Sequence, residues 1–427
     1  MTVTPAIPDF SIRIIPAADR RLVDALLDRA ARRDAAVERK VARIVDDVRR
    51  EGDAAVRRYA ARFDGLSGAM EVDRAQIRRG ARQVPREVRE AIATAADHIR
   101  RVAARQVPRG FVVQPVAGVR IEQRVLPLDR VGCYVPGGRH PLPSSLLMTA
   151  IPARVAGVRE VIAVCPKVDA AILCAAQAAG VSRLFRIGGA HAVAALAFGT
   201  ATIPRVDKIV GPGNAYVAAA KSLVARECAI DFEAGPSEIA VVSTSGWPAW
   251  IAADLIAQAE HDPNARAILF TPSARLAAAV AEEIRRQAPI EGPARQALAA
   301  NGGIIRTRTL ADAVALCQRM APEHVVCDTD AVAGRLTRAG TIFVGDYSAQ
   351  ASGDYATGSN HVLPTNGAAR ARGGLSAADF VRVSTVQRLT AAGLRRIAPA
   401  AIALARAEGL TGHAASIGIR GRDGGEA

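Results

Sequence analysis

The sequence predicts an α/β fold with two parallel-sheet lobes, set between a helical N-terminal region and a helical C-terminal arm. Three observations predict it. Short β-rich runs alternate with helical stretches in two successive series, which is the pattern of parallel strands joined by crossover helices. Glycines cluster where the strands of the first series should end. The flanking segments carry apolar residues at helical spacing instead.

Residues from about 17 to 105 read as helices, with Val41, Ile44 and Val48 on one face and a stop at Phe63-Asp64-Gly65. No catalytic pattern stands out there. The first strand series is Val131 to Val135, Val161 to Cys165, Leu184 to Ile187 and Ile209-Val210, with helices after Ser144, Asp169, Ala190 and Asn214. Gly137-Gly138, Gly188-Gly189 and Gly211-Pro212-Gly213-Asn214 fall at its strand ends, where open sheets bind ligands and a bare backbone lets a phosphate approach. No complete G-x-G-x-x-G or Walker A pattern is present, so these turns alone are a weak signal. The second series is Ile239 to Ser243, Ala267 to Phe270, Gly303 to Ile305, Val325 to Cys327 and Ile342 to Gly345. Beyond Leu375 the chain reads as helical through Arg388 to Glu408, then ends in a polar, Gly-rich tail. The expected divisions are 1–129 (helical region), 130–236 (first Rossmann-like lobe), 237–375 (second lobe) and 376–427 (arm). The arm is too short to form its own core, so it should reach another lobe or another subunit.

The 427 residues, half of them apolar, suffice for two lobes. No apolar run reaches the roughly 18 residues of a membrane span. Asp9 and Arg13 interrupt the start where a leader would be apolar. A cytoplasmic, non-membrane protein is expected. The net charge of +15 is nearly all arginine. Arg49, Arg50, Arg57 and Arg58 interleave with acids as on a solvated helix face, and aromatic residues make up only 4% of the chain. That excludes nucleic acid as the expected partner and suits small anions such as a dinucleotide. Cys133, Cys165, Cys174, Cys228, Cys317 and Cys327 form no CxxC pair and lie mostly in apolar runs, as buried free thiols do.

Chemistry concentrates around four of the seven histidines. His261, His324, His361 and His413 sit in polar or Gly-rich segments that also carry Gln258, Glu323, Asp354 or Glu408, a residue set suited to metal-assisted proton transfer. Gln258 and His261, at i and i+3 of a helix end, can present an amide oxygen and an imidazole nitrogen to one ion. Asp354 and His413 would complete a thiolate-free set acceptable to zinc or manganese. Glu323-His324 follows Pro322, and both side chains are expected to point out of a turn or helix start instead of into a core; the pair suits a base and a water activator. Ser237, in a tight turn entering a strand, can orient a ligand; no Gly-x-Ser-x-Gly elbow surrounds it.

These segments together resemble the histidinol dehydrogenase family. The matching stretches are residues 130–138 (RVGCYVPGG), 206–214 (VDKIVGPGN), the turn at Ser237, Gln258-Ala259-Glu260-His261, Ala321-Pro322-Glu323-His324, Gly353-Asp354-Tyr355, residues 360–365 (NHVLPT), and Glu408-Gly409-Leu410 with His413. The resemblance implies oxidation of L-histidinol to L-histidine through the aldehyde, with two NAD and one water. It also implies one zinc per subunit, held by Gln258, His261, Asp354 and His413. His324 would be the proton-transfer base and Glu323 the water activator. Ser237, His361 and Glu408 would contact substrate together with His324 and the metal ligands. Tyr134, His191 and Asn214 would line the NAD position in 130–236, leaving metal and substrate to 237–375. A homodimer exchanging its C-terminal arms, with a shared active site, is implied as well. His191 stands where the family usually has Gln, Glu233 and Ala349 stand for Pro, and Gly412 for Ala; none removes a proposed ligand. A paralogous zinc- and NAD-dependent dehydrogenase of another small amino or hydroxy alcohol is the alternative reading.

Overall fold

The computed structural model describes residues 10–27, 34–137, 141–233 and 235–422. Asp9, Gly138 and the Gly-rich end of the tail, named above, lie outside them.

The first sheet has six strands in the order Glu71–Val72, Arg183–Phe185, Glu160–Val164, Arg130–Tyr134, Lys208–Val210 and Ala229–Ile230. All neighbours are parallel except the first pair. Its central strands are buried on both faces, as in Val161 to Val164, because helices cover both sides. The chain winds outward from Arg130–Tyr134 through the next two strands, then returns to its other side with Lys208–Val210. The direction of winding therefore reverses between those two strands.

The second sheet is wholly parallel, in the order Ile14–Pro16, Gly302–Arg306, Arg266–Thr271, Glu238–Val242, His324–Cys327 and Thr341–Val344. Its winding reverses between Glu238–Val242 and His324–Cys327. The two parallel-sheet lobes expected from the sequence are thus present. The expected N-terminal unit is not one body: Ile14–Pro16 adds an edge strand to the second sheet, whereas the helices from Ala35 to Gln106 pack on the first.

Those helices form for local reasons. Asp34 accepts hydrogen bonds from the N–H groups of Ala36 and Val37, capping Ala35–Glu51. Val41, Ile44, Val45 and Val48 line its buried face, and Gly52 ends it at φ 55°. The next helix, Asp53–Phe63, stops at Asp64 as its sequence suggests.

A third, antiparallel sheet was not anticipated. Phe111–Val116 and Val119–Pro127 form a hairpin, and Val381–Leu389 pairs along the whole of the second strand, from Val381 opposite Pro127 to Leu389 opposite Val119. The helical reading of Arg388 is corrected here, since helix Ala391–Ala407 begins only after the strand. The strand is mostly exposed on both faces, so no clean apolar alternation marks it. The arm continues with Ala391–Ala407 and Thr411–Arg422, which pack on each other. Gly393 meets Gly118 backbone to backbone, where a Cβ on Gly393 would lie 2.2 Å from the Gly118 carbonyl oxygen. Among the described residues no helix is long and apolar enough to cross a membrane.

Candidate active site

Both strands flanking the reversal in the second lobe begin at the site. Ile239 pairs with His324, which brings Glu238 and Glu323 to the same amino edge of the sheet. The Glu238 N–H donates to Glu323 Oε2 at 2.9 Å. Contrary to the outward orientation expected, Glu323 and His324 are both buried. The cause is that His324 opens a central strand, paired on both sides, instead of a surface turn.

The His324 ring is held in one orientation. Its Nδ1 lies 3.2 Å from the Glu238 carbonyl oxygen and its Nε2 lies 3.7 Å from Asp354 Oδ1. A proton on Nδ1 donated to that carbonyl leaves Nε2 with a lone pair facing the cluster. Burial pushes the His324 pKa down to about 4 against the opposing pull of Asp354, so the neutral, proton-accepting ring prevails at neutral pH. Burial raises the Asp354 carboxyl, yet its contacts with His261, His324 and His361 outweigh burial and leave it lowered, hence ionised.

Asp354 follows the short turn Gln350–Gly353 and is held at both ends. Gln350 Nε2 donates to its Oδ2 at 3.2 Å. Its main-chain oxygen meets His361 Nδ1 at 2.9 Å, and the other ring nitrogen of His361 meets Ser145 Oγ of the first lobe at 3.1 Å. Asn360 Nδ2 donates to the Met148 carbonyl at 2.7 Å, a second tie between lobes. His361 thereby positions Asp354 from the first lobe. The carboxyl end of one sheet meets the amino end of the other at this seam.

Helix Pro248–Ala259 carries Gln258 in its last turn and ends before His261. His261 Nε2 is 3.7 Å from Asp354 Oδ2. Gln258 is buried, and its Oε1 has no hydrogen-bond partner among the described residues. Leaving such an acceptor unsatisfied costs about 1–3 kcal/mol, a cost that a cation at that oxygen would relieve. With His261 and Asp354 adjacent, the donors fit a metal of mixed nitrogen and oxygen preference. Among the described residues no group of three or more His, Cys, Asp or Glu is arranged to hold a metal by itself. Glu408 and His413 lie on the arm, exposed, and neither side chain makes a hydrogen bond or ion pair within the described chain. Ser237 sits half-buried immediately before strand Glu238–Val242.

A second feature lies at the carboxyl ends of the first sheet, where its winding reverses. A cavity of about 800 Å³ is lined there by Tyr134, Gly137, Gly189, His191 and Asn214, and its other wall comes from the N-terminal helices through Lys40, Arg43, Tyr59, Arg62 and Asp64. Such a crevice is the usual nucleotide position of open α/β sheets. Tyr134 Oη accepts from the Gly189 N–H at 3.0 Å. His191 is buried and its Nε2 meets Asp64 Oδ2 at 2.9 Å; the same oxygen accepts from the Gly188 N–H at 2.9 Å. Asn214 caps helix Ala215–Val224 by accepting from Tyr216 and Val217. The sequence reading missed the helical wall altogether.

All six cysteines are free and buried. Burial pushes the Cys133 and Cys228 thiols up to about 12, far from the thiolate a covalent route would need. Cys133→Ala and Cys228→Ala should each keep turnover on alcohol and aldehyde within about tenfold. Selective loss of aldehyde oxidation in either variant would show that a thiol carries that step.

Two parallel-sheet lobes, with a nucleotide-sized cavity on one and a carboxylate–imidazole–amide cluster on the other, define an α/β enzyme. The family model for histidinol dehydrogenase matches residues 27–421. The chain is 46% identical over 391 residues to histidinol dehydrogenase of Agrobacterium fabrum, covering 88% of this chain and 90% of that one. It is 43% identical over 418 residues to the Methanothermobacter thermautotrophicus enzyme of that name, covering 95% and 98%. A crystal structure of histidinol dehydrogenase from Elizabethkingia anophelis superimposes with a TM-score of 0.90 at 32% identity, covering 96% and 98% of the two chains. The chain belongs to the histidinol dehydrogenase family, and is thus an oxidoreductase of histidine biosynthesis.

Proposed function

We propose that the protein oxidises L-histidinol to L-histidine by way of L-histidinal, consuming two NAD and one water and releasing two NADH and three protons. The observation that carries this reading is the buried cluster in which His324 lies between Glu323 and Asp354, with Gln258 Oε1 buried and unsatisfied among the described residues, in a chain of this family. Zinc bound by Gln258, His261, Asp354 and His413 would supply Lewis-acid polarisation and substrate positioning. NAD in the cavity beside Tyr134, His191 and Asn214 would accept the hydride.

The chain's own groups do the rest. His324 Nε2 takes the substrate hydroxyl proton as the alcohol is oxidised. In the second half-reaction Glu323 takes a proton from water, so that its oxygen can add to the aldehyde carbon. Ser237 and Glu408 orient the substrate, the carboxylate of Glu408 suiting a cationic amine or imidazolium. His361 holds Asp354 in place and also contacts the substrate in this reading.

Glu408 and His413 act from a second copy of the chain in this reading, with the arms exchanged between the two subunits of a homodimer. The support is an arm with exposed apolar side chains, Leu404 at 65% and Ile419 at 61%, and exposed site residues that have no side-chain partner among the described residues of their own chain.

Purified protein supplied with L-histidinol and NAD should form two NADH per substrate and lose that activity to a chelator. His261→Asn and His413→Asn should each lose stoichiometric metal along with most turnover. Full zinc occupancy in His413→Asn would remove that residue from the ligand set, and NADH formation only from other alcohols would move the substrate assignment.

A further inference from the structure

The dinucleotide cavity is more positive than NAD requires. Among the described residues four cationic side chains line it, Lys40 and Arg43 on helix Ala35–Glu51, Arg62 on Asp53–Phe63, and Lys167, against the single carboxylate of Asp64. Other arginines on the same two helices are paired: Arg49 with Glu227, Arg50 with Asp47, Arg58 with Glu51. Lys40, Arg43 and Arg62 make no ion pair among the described residues. Arg39 and Arg57 on these helices also lack an ion pair among the described residues and lie outside the cavity lining, so three of the five cations without one border the cavity.

The single acid is also spoken for. Asp64 Oδ2 accepts from the Gly188 N–H and from His191 Nε2, and its side chain is 8% exposed. Sites that select NAD over its 2′-phosphorylated form generally do so with a carboxylate on the ribose 2′-hydroxyl, and an arginine nearby accommodates the phosphate instead. Among the described residues no lining carboxylate is available for that exclusion, and unpaired cations are.

We infer that Lys40, Arg43 and Arg62 bind the phosphates of the dinucleotide and accept a 2′-phosphate besides the diphosphate bridge, so that the cavity takes NADP as well as NAD. This rests on the assignment of the cavity to NAD. The three residues come from the N-terminal helices, which makes that region part of the cofactor site instead of a passive cover. The cationic heads are exposed, so they attract the anion through solvent and their contribution falls as salt rises.

Equilibrium binding of NAD and NADP to the full-length protein tests the inference, by calorimetry or dialysis with no turnover required. NADP should bind at least as tightly as NAD at low salt, and its affinity should fall more steeply with added salt. Lys40→Glu/Arg43→Glu should weaken NADP at least tenfold and NAD less, and Lys40→Ala/Arg43→Ala should give the same order with smaller losses. Both pairs replace exposed side chains, and an unchanged thermal midpoint would show that the fold is retained. NADP binding more than tenfold weaker than NAD, or unchanged affinities in both double variants while NAD still binds, would overturn the phosphate role and leave the cavity assignment standing. Absence of binding by either dinucleotide would remove the cavity assignment and the inference with it.

Discussion

Glu323→Gln should retain most oxidation of L-histidinol to L-histidinal and lose oxidation of L-histidinal by about 10² to 10⁴-fold, the usual range for a missing general base. His324→Asn should depress both half-reactions by a similar factor. The geometry sets the difference. His324 Nε2 points at the Asp354 side of the cluster, while Glu323 Oε2 is tied to the Glu238 N–H and lies 3.7 Å from His324 Nδ1. Glu323→Gln removes a proton acceptor but preserves an oxygen for that N–H, so the strand edge keeps its register. Single-turnover rates measured separately with alcohol and aldehyde check the division of labour. Equal losses on both substrates in Glu323→Gln would reject it.

Mixing two inactive proteins should restore activity. His324→Asn spoils the cluster on the body of its own chain, and His413→Asn spoils only the arm. After joint unfolding and refolding, a heterodimer with exchanged arms contains one site with both defects and one with neither. Random assortment makes half the dimers mixed, so recovery to about a quarter of the wild-type site number is expected from two parents with almost none. If tagged subunits are shown to exchange and activity stays at the level of the parents, the arm serves its own chain.

The parallel strands were legible because burial on both faces makes them continuous apolar runs, as in Val161 to Val164, and their turns carry Gly or a capping Asp169 or Asn214. Strands without a core face were not. Val381–Leu389 is largely exposed, and Glu71–Val72 and Ala229–Ile230 are two-residue edges set by their neighbours. Within the site, residues that carry recognisable chemistry could be named in advance. Those that hold them in place could not, because their partners are remote: Ser145 meets His361 across 216 positions, and Asp64 meets His191 across 127. Lys40 and Arg43 looked like any solvated helix face, since sequence spacing does not reveal which charged face borders a cavity. The carboxyl-end rule located the crevice of the first lobe but not the cluster of the second, whose residues stand at the amino ends of their strands.

The carboxyl end of the second sheet differs from that of the first: the cavity beside Trp247, Trp250 and Asp254 has only about 30 Å³, space on the scale of one water molecule. In the proposed four-electron oxidation the two dinucleotides would then pass in turn through the cavity beside Tyr134, the first departing reduced before the second enters. The aldehyde would have to stay gripped at the cluster around Asp354 throughout that exchange. Retention of a reactive intermediate, rather than speed at either hydride transfer, is the property such a reaction would ask of this arrangement.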